Sequence, residues 1–98
     1  MDRDALIKSI RKLRPALEAE GVAHIALFGS RARGDHKPTS DLDILLDVVP
    51  GRRLSLLDVI GIQHIVSDTT GLTANATLRR SIDSELSRAT EPDLVQVF

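Results

Sequence analysis

The sequence predicts an α/β or α+β domain in which helices pack on a small sheet. Three observations predict it. Apolar residues recur at helical spacing near the start and the end of the chain, short strand-like runs lie between them, and loops bearing glycine and proline separate the segments. A length of 98 residues suits one domain spanning 1–98, and 42% apolar residues suffice for its core.

Leu6, Ile7, Ile10, Leu13 and Leu17 form one apolar stripe, which predicts an opening helix with Asp4 as N-cap and Gly21 as stop. Pro15 lies inside it. A proline there removes a backbone hydrogen bond and clashes with the carbonyl of Arg11, so a kink or a break is expected. Residues 22–28 are short, apolar and closed by Gly29-Ser30, which reads as a buried strand. Residues 29–40 carry loop chemistry around at most one helical turn. Residues 41–49 alternate: Leu42, Ile44, Leu46 and Val48 take one face, Asp41, Asp43, Leu45 and Asp47 the other. After the Pro50-Gly51 turn, Leu54, Leu57, Val59 and Ile60 predict a second helix ending near Gly61. His64-Ile65-Val66 reads as a third, short strand. Thr73 then caps a last helix striped by Leu78, Ile82, Leu86 and Ala89 and closed by Pro92.

Composition removes several function classes. With 13 basic against 14 acidic side chains there is no basic excess to clamp bulk nucleic acid. Phe28 and Phe98 are the only aromatics, too few to stack unpaired bases. The absence of cysteine excludes disulfides, thiolate zinc sites and thiol nucleophiles. His24, His36 and His64 share no metal-ligand spacing. Met1-Asp2-Arg3-Asp4 leads into no apolar signal region, and no apolar run approaches the ~20 residues that span a bilayer. A cytoplasmic protein without membrane association is expected.

The informative stretch is Gly29-Ser30-Arg31-Ala32-Arg33-Gly34 followed by Ser40-Asp41-Leu42-Asp43. A strand that ends at Gly-Ser and enters a helical turn aims its first amides at one spot, a geometry suited to phosphate. Gly29 lets the backbone approach an oxyanion closely, and Ser30 adds a hydroxyl donor. Asp41 and Asp43 project from one strand face, their Cα atoms ~6.6 Å apart. Alone, that pair would read as a polar strand edge. Two such carboxylates repel one another, and Mg²⁺, which prefers oxygen ligands and substrate phosphates, relieves the repulsion. Arg31 and Arg33 read either as steering phosphate or as ordinary surface arginines, and Arg33 equally as pairing with a carboxylate to brace the loop. A P-loop is excluded: Gly29 and Gly34 fit its glycine spacing, but Asp35-His36 stand where it requires lysine and a hydroxyl residue.

These residues resemble the signature of the minimal nucleotidyltransferases of the DNA polymerase β-like superfamily, G-S-x-A-R-G, a short spacer, then S-D-x-D. The resemblance implies the nucleotidyltransferase fold, a mixed sheet flanked by helices. It implies that Gly29 and Ser30 bind the β- and γ-phosphates of ATP, with Arg31, Arg33 and Ser40 in support, and that Asp41 and Asp43 are catalytic and hold Mg²⁺. Many minimal members are antitoxins of small helical HEPN-type toxins and transfer AMP from ATP to a toxin tyrosine. Adenylyl transfer to such a partner is therefore expected, within a hetero-oligomer.

The family usually carries a third carboxylate on the next strand. Ungapped alignment on Gly61 and Leu72 puts Ile65 at that position, and isoleucine neither holds a metal nor takes a proton. Asp68 would reach it only by a three-residue slip, Asp47 lies ~13 Å along the strand from Asp43, and Asp58 sits on a helix. A second reading follows: a catalytically degenerate member that neutralises its partner by occlusion.

Overall fold

The computed structural model describes residues 2–79 and 93–98. Its elements run α1 (Arg3–Arg11), α2 (Arg14–Ala19), β1 (Val22–Phe28), α3 (Ser30–Arg33), β2 (Leu42–Val48), α4 (Leu56–Thr70), β3 (Ala74–Leu78) and β4 (Val95–Gln96). Four strands form one mixed sheet in the order β3-β2-β1-β4. β1 is antiparallel to both β2 and β4, while β2 and β3 run parallel. A parallel pair needs a crossover, and α4 is that crossover.

Pro15 does break the opening helix, standing in the first turn of α2, where its missing N–H costs nothing. The cap of α1 is Asp2 rather than Asp4: its carboxylate accepts the Ala5 amide at 2.8 Å. The core gathers on one face of the sheet. Leu6, Ile10 and Leu17 of the first helices, Ile25 and Leu27 of β1, Leu42, Ile44 and Leu46 of β2, and Ile62 and Val66 of α4 are all fully buried there. Full burial of each such side chain is worth about 1.5–3 kcal/mol.

The second half departs from the sequence reading. Helix α4 passes through Gly61 and carries His64, Ile65 and Val66, so the expected strand at 64–66 is helix. A glycine inside a helix costs about 1 kcal/mol, a penalty that burying Ile62, Val66 and Thr70 on one stripe outweighs. The start of α4 is also secured by reciprocal hydrogen bonds between Ser55 and Asp58, and Gly71 ends it. The third strand is instead Ala74–Leu78, so Thr73 precedes a strand and Leu78 closes one. The expected stripe of Ile82, Leu86 and Ala89, with Pro92 after it, lies outside the described residues. No helix among the described residues is long and apolar enough to cross a membrane.

Candidate active site

β1 ends where β2 begins, because the two are antiparallel and Phe28 stands opposite Asp43. The chain leaves β1 at Gly29 with φ +75° and ψ −158°, turns into the single turn of α3, and leaves that turn at Gly34. The amides of Ala32 and Arg33 return to the Gly29 carbonyl at 3.1 Å each, and the Gly34 amide to that of Ser30 at 2.9 Å. The amides that open a helix have no partner within it, and here Ser30 opens the turn.

Gly29 and Asp43 are in intimate contact. A Cβ on residue 29 would lie 2.5 Å from Oδ2 of Asp43, so only glycine leaves that carboxylate its place. Asp43 is half-buried and Asp41 exposed. Burial, and then the charge of Asp41, hold the Asp43 carboxyl above its ordinary range; the Asn75 amide and the more distant Arg33 pull it down. A carboxylate pair strained in this way gains from a cation, and its hard oxygen donors suit Mg²⁺. The glycine cradle that seats Asp43 fits the same ion.

The two arginines separate. Arg31 is only 3% exposed. Its guanidinium donates to the Ser40 carbonyl at 3.0 and 3.3 Å and to the carbonyls of Lys37 and Pro38 at 3.4 Å. Arg31 thus braces the loop that delivers Asp41. Ser40 works in the same loop, its Oγ accepting the Lys37 amide at 2.8 Å. Arg33 is exposed and pairs with Asp35 and Asp93, both at 3.0 Å. Those two hydrogen bonds raise its already high pKa further.

The side chain that sequence reasoning missed is Asn75. β3 lies beside β2 with Asn75 opposite Asp43, and Asn75 Nδ2 donates to Asp41 Oδ2 at 3.0 Å. The strand position next to the acidic pair therefore belongs to Asn75, whereas Ile65 is in mid-helix. Asp68 is exposed on the same helix, Asp58 caps it, and Asp47 is paired with Arg79 at 2.7 Å. A polar residue between two alanines, just past the helix stop at Gly71, was the available signal.

A mixed sheet ending in a glycine turn beside two acids is the framework of a nucleotide-transfer domain. The chain belongs to the nucleotidyltransferase domain family, whose model matches residues 10–95. It is 36% identical over 90 residues to a candidate protein adenylyltransferase of Methanocaldococcus jannaschii, covering 90% of each chain. A solved structure of a candidate minimal nucleotidyltransferase superposes with a TM-score of 0.77 at 26% identity, over 97% of this chain and 95% of that one. The same fold recurs in one chain of a Shewanella oneidensis complex between a tri-AMPylated HEPN toxin and an MNT antitoxin. There the TM-score is 0.70 at 17% identity, over 98% of this chain and 71% of that one.

Proposed function

We propose that this protein is a Mg²⁺-dependent adenylyltransferase that moves AMP from ATP to a partner protein, a HEPN-type toxin for which it is the antitoxin. The observation that carries the reading is the Asp43 carboxylate seated against Gly29, which sets an acidic pair beside a phosphate-type turn. The relatives reinforce it, one named for protein adenylyl transfer and one fold neighbour drawn from an AMPylated toxin–antitoxin complex.

In this reading Gly29 and Ser30 receive the β- and γ-phosphates, the Ser30 hydroxyl and the opening amides of α3 acting as donors. Asp41 and Asp43 hold the cation, which when bound neutralises charge on the polyphosphate and polarises the α-phosphoryl group. Arg31 keeps the 37–40 loop, and with it Asp41, in register. An acceptor hydroxyl attacks the α-phosphorus, the bond to the β-phosphate oxygen breaks, and pyrophosphate leaves while the hydroxyl proton passes to solvent.

Asn75 supports the second reading, a fold that neutralises its partner by occlusion, because it supplies an amide beside Asp41 and Asp43 rather than another acid. One experiment separates the two. The protein is incubated with labelled ATP, Mg²⁺ and a HEPN-type partner, beside the Asp41→Ala/Asp43→Ala double variant. Label on the partner that the double variant fails to transfer supports adenylyl transfer; no label from either overturns it. A double variant that still binds and protects cells supports occlusion.

A further inference from the structure

The backbone on both sides of Asn75 is tied to α4. The amides on either side of it, those of Ala74 and Ala76, donate to α4 side chains rather than to a strand: Ala74 to Ser67 Oγ at 3.0 Å and Ala76 to Gln63 Oε1 at 2.8 Å. Ser67 and Gln63 are one helical turn apart, so α4 clips β3 at two points that bracket Asn75. The parallel register with β2 then puts Asn75 opposite Asp43 and lets its Nδ2 reach Asp41. Neither a slip of the strand nor its peeling away frees that amide without breaking these bonds.

We propose that Asn75 restricts the acidic pair to one divalent cation. This rests on reading Asp41 and Asp43 as the cation-holding residues. A carboxylate oxygen that accepts an amide N–H faces a partial positive charge, and a second cation on that side of Asp41 meets the same hydrogen. The amide also supplies no charge. Two carboxylates serve one divalent ion together with the phosphates that it accompanies, and a second ion, placed toward the acceptor and away from those phosphates, needs a further anionic ligand from the protein. Among the described residues no group of three acidic or histidine side chains converges anywhere, this site included. Rotating the Asn75 amide by half a turn would present an oxygen, but a neutral one, and without a cation it would set lone pairs against the Asp41 carboxylate. A site loaded in this way has no second ion to lower the pKa of the acceptor hydroxyl. Asn75 is thus a positioning residue that sets the metal count.

The test counts bound Mn²⁺ by electron paramagnetic resonance on the full chain saturated with the α,β-methylene analogue of ATP, for wild type and for Asn75→Asp. One ion per wild-type chain and two per Asn75→Asp chain is the expected result. Two ions in the wild type overturn the proposal, as does a single ion in an Asn75→Asp variant that unfolds at the wild-type temperature. No bound ion in either protein overturns the cation-site reading itself, and the proposal with it. If Asn75→Asp does not fold, Asn75→Glu takes its place in the same measurement: two ions support the proposal and one overturns it.

Discussion

Replacing Gly29 by alanine tests the contact on which the site depends. Two separate penalties arise. At φ +75° and ψ −158° the backbone occupies a region that only glycine populates readily, so any side chain costs about 1–3 kcal/mol. The new Cβ also lies 2.5 Å from Asp43 Oδ2, and ordinary contact begins at 3.4 Å. The carboxylate must therefore retreat by roughly 0.9 Å, and a misplacement of about 1 Å costs on the order of 10²-fold in rate. Gly34→Ala is the matched control. It shares a positive φ, +86°, but nothing lies within 4 Å of its Cβ, so it meets only the left-handed backbone penalty of about 1–2 kcal/mol. Melting curves and kcat for adenylyl transfer, taken well below both transitions, separate the effects. Gly29→Ala should melt at least ~4 °C lower and lose about two orders of magnitude in kcat. Gly34→Ala should melt lower yet keep kcat within about twofold, since its strain displaces no site residue. Wild-type kcat in a folded Gly29→Ala variant, or an equal loss in Gly34→Ala, would refute the reasoning.

Two further outcomes follow from the same geometry. Arg31→Ala leaves the carbonyls of Lys37, Pro38 and Ser40 without their donor and should cost about 2–4 kcal/mol in urea denaturation, while Arg31→Lys should recover less than half, because one ammonium cannot span what the guanidinium reaches. For Asp43 the raised carboxyl pKa means that the folded chain holds more protons than the unfolded chain between the ordinary carboxylate value and the raised one. Stability is therefore full below the ordinary value and declines as pH rises through that window. Asp43→Asn removes the decline, so at pH 7 in EDTA it should melt above the wild type while losing transfer. A melting temperature equal to or below that of the wild type would count against the strained carboxylate.

The segment from Gly29 to Asp43 was legible in the sequence because its requirements are local. A backbone that leaves a strand with positive φ needs glycine, and the alternation of Asp41 and Asp43 with Leu42 and Ile44 assigns faces whatever the strand pairs with. The break at Pro15 is equally local, one missing N–H and one steric clash. The identity of the residue beside the acids was not. It depends on which segment pairs with β2, and β3, reading Ala-Asn-Ala-Thr-Leu, announces itself weakly: it is short, and Ala and Asn are poor strand formers. Gly61 imitates a helix stop, and only the burial of Ile62 and Val66 against the sheet overrides it.

Arg31 makes the same point from the other direction. In sequence it is one of two arginines beside a phosphate-type turn. Its task is decided by the loop that folds over it, which takes up its guanidinium and leaves Arg33 at the surface. β4 joins Gln96 to Ala26 across most of the chain, a pairing that no local pattern encodes. By itself the sequence determined the turn, the acidic pair and the family they signal, because sterics and alternation act between near neighbours. The tertiary structure alone decided that an asparagine stands beside Asp41 and that Arg31 is spent on the backbone, because partners far apart in sequence meet only once the core has closed.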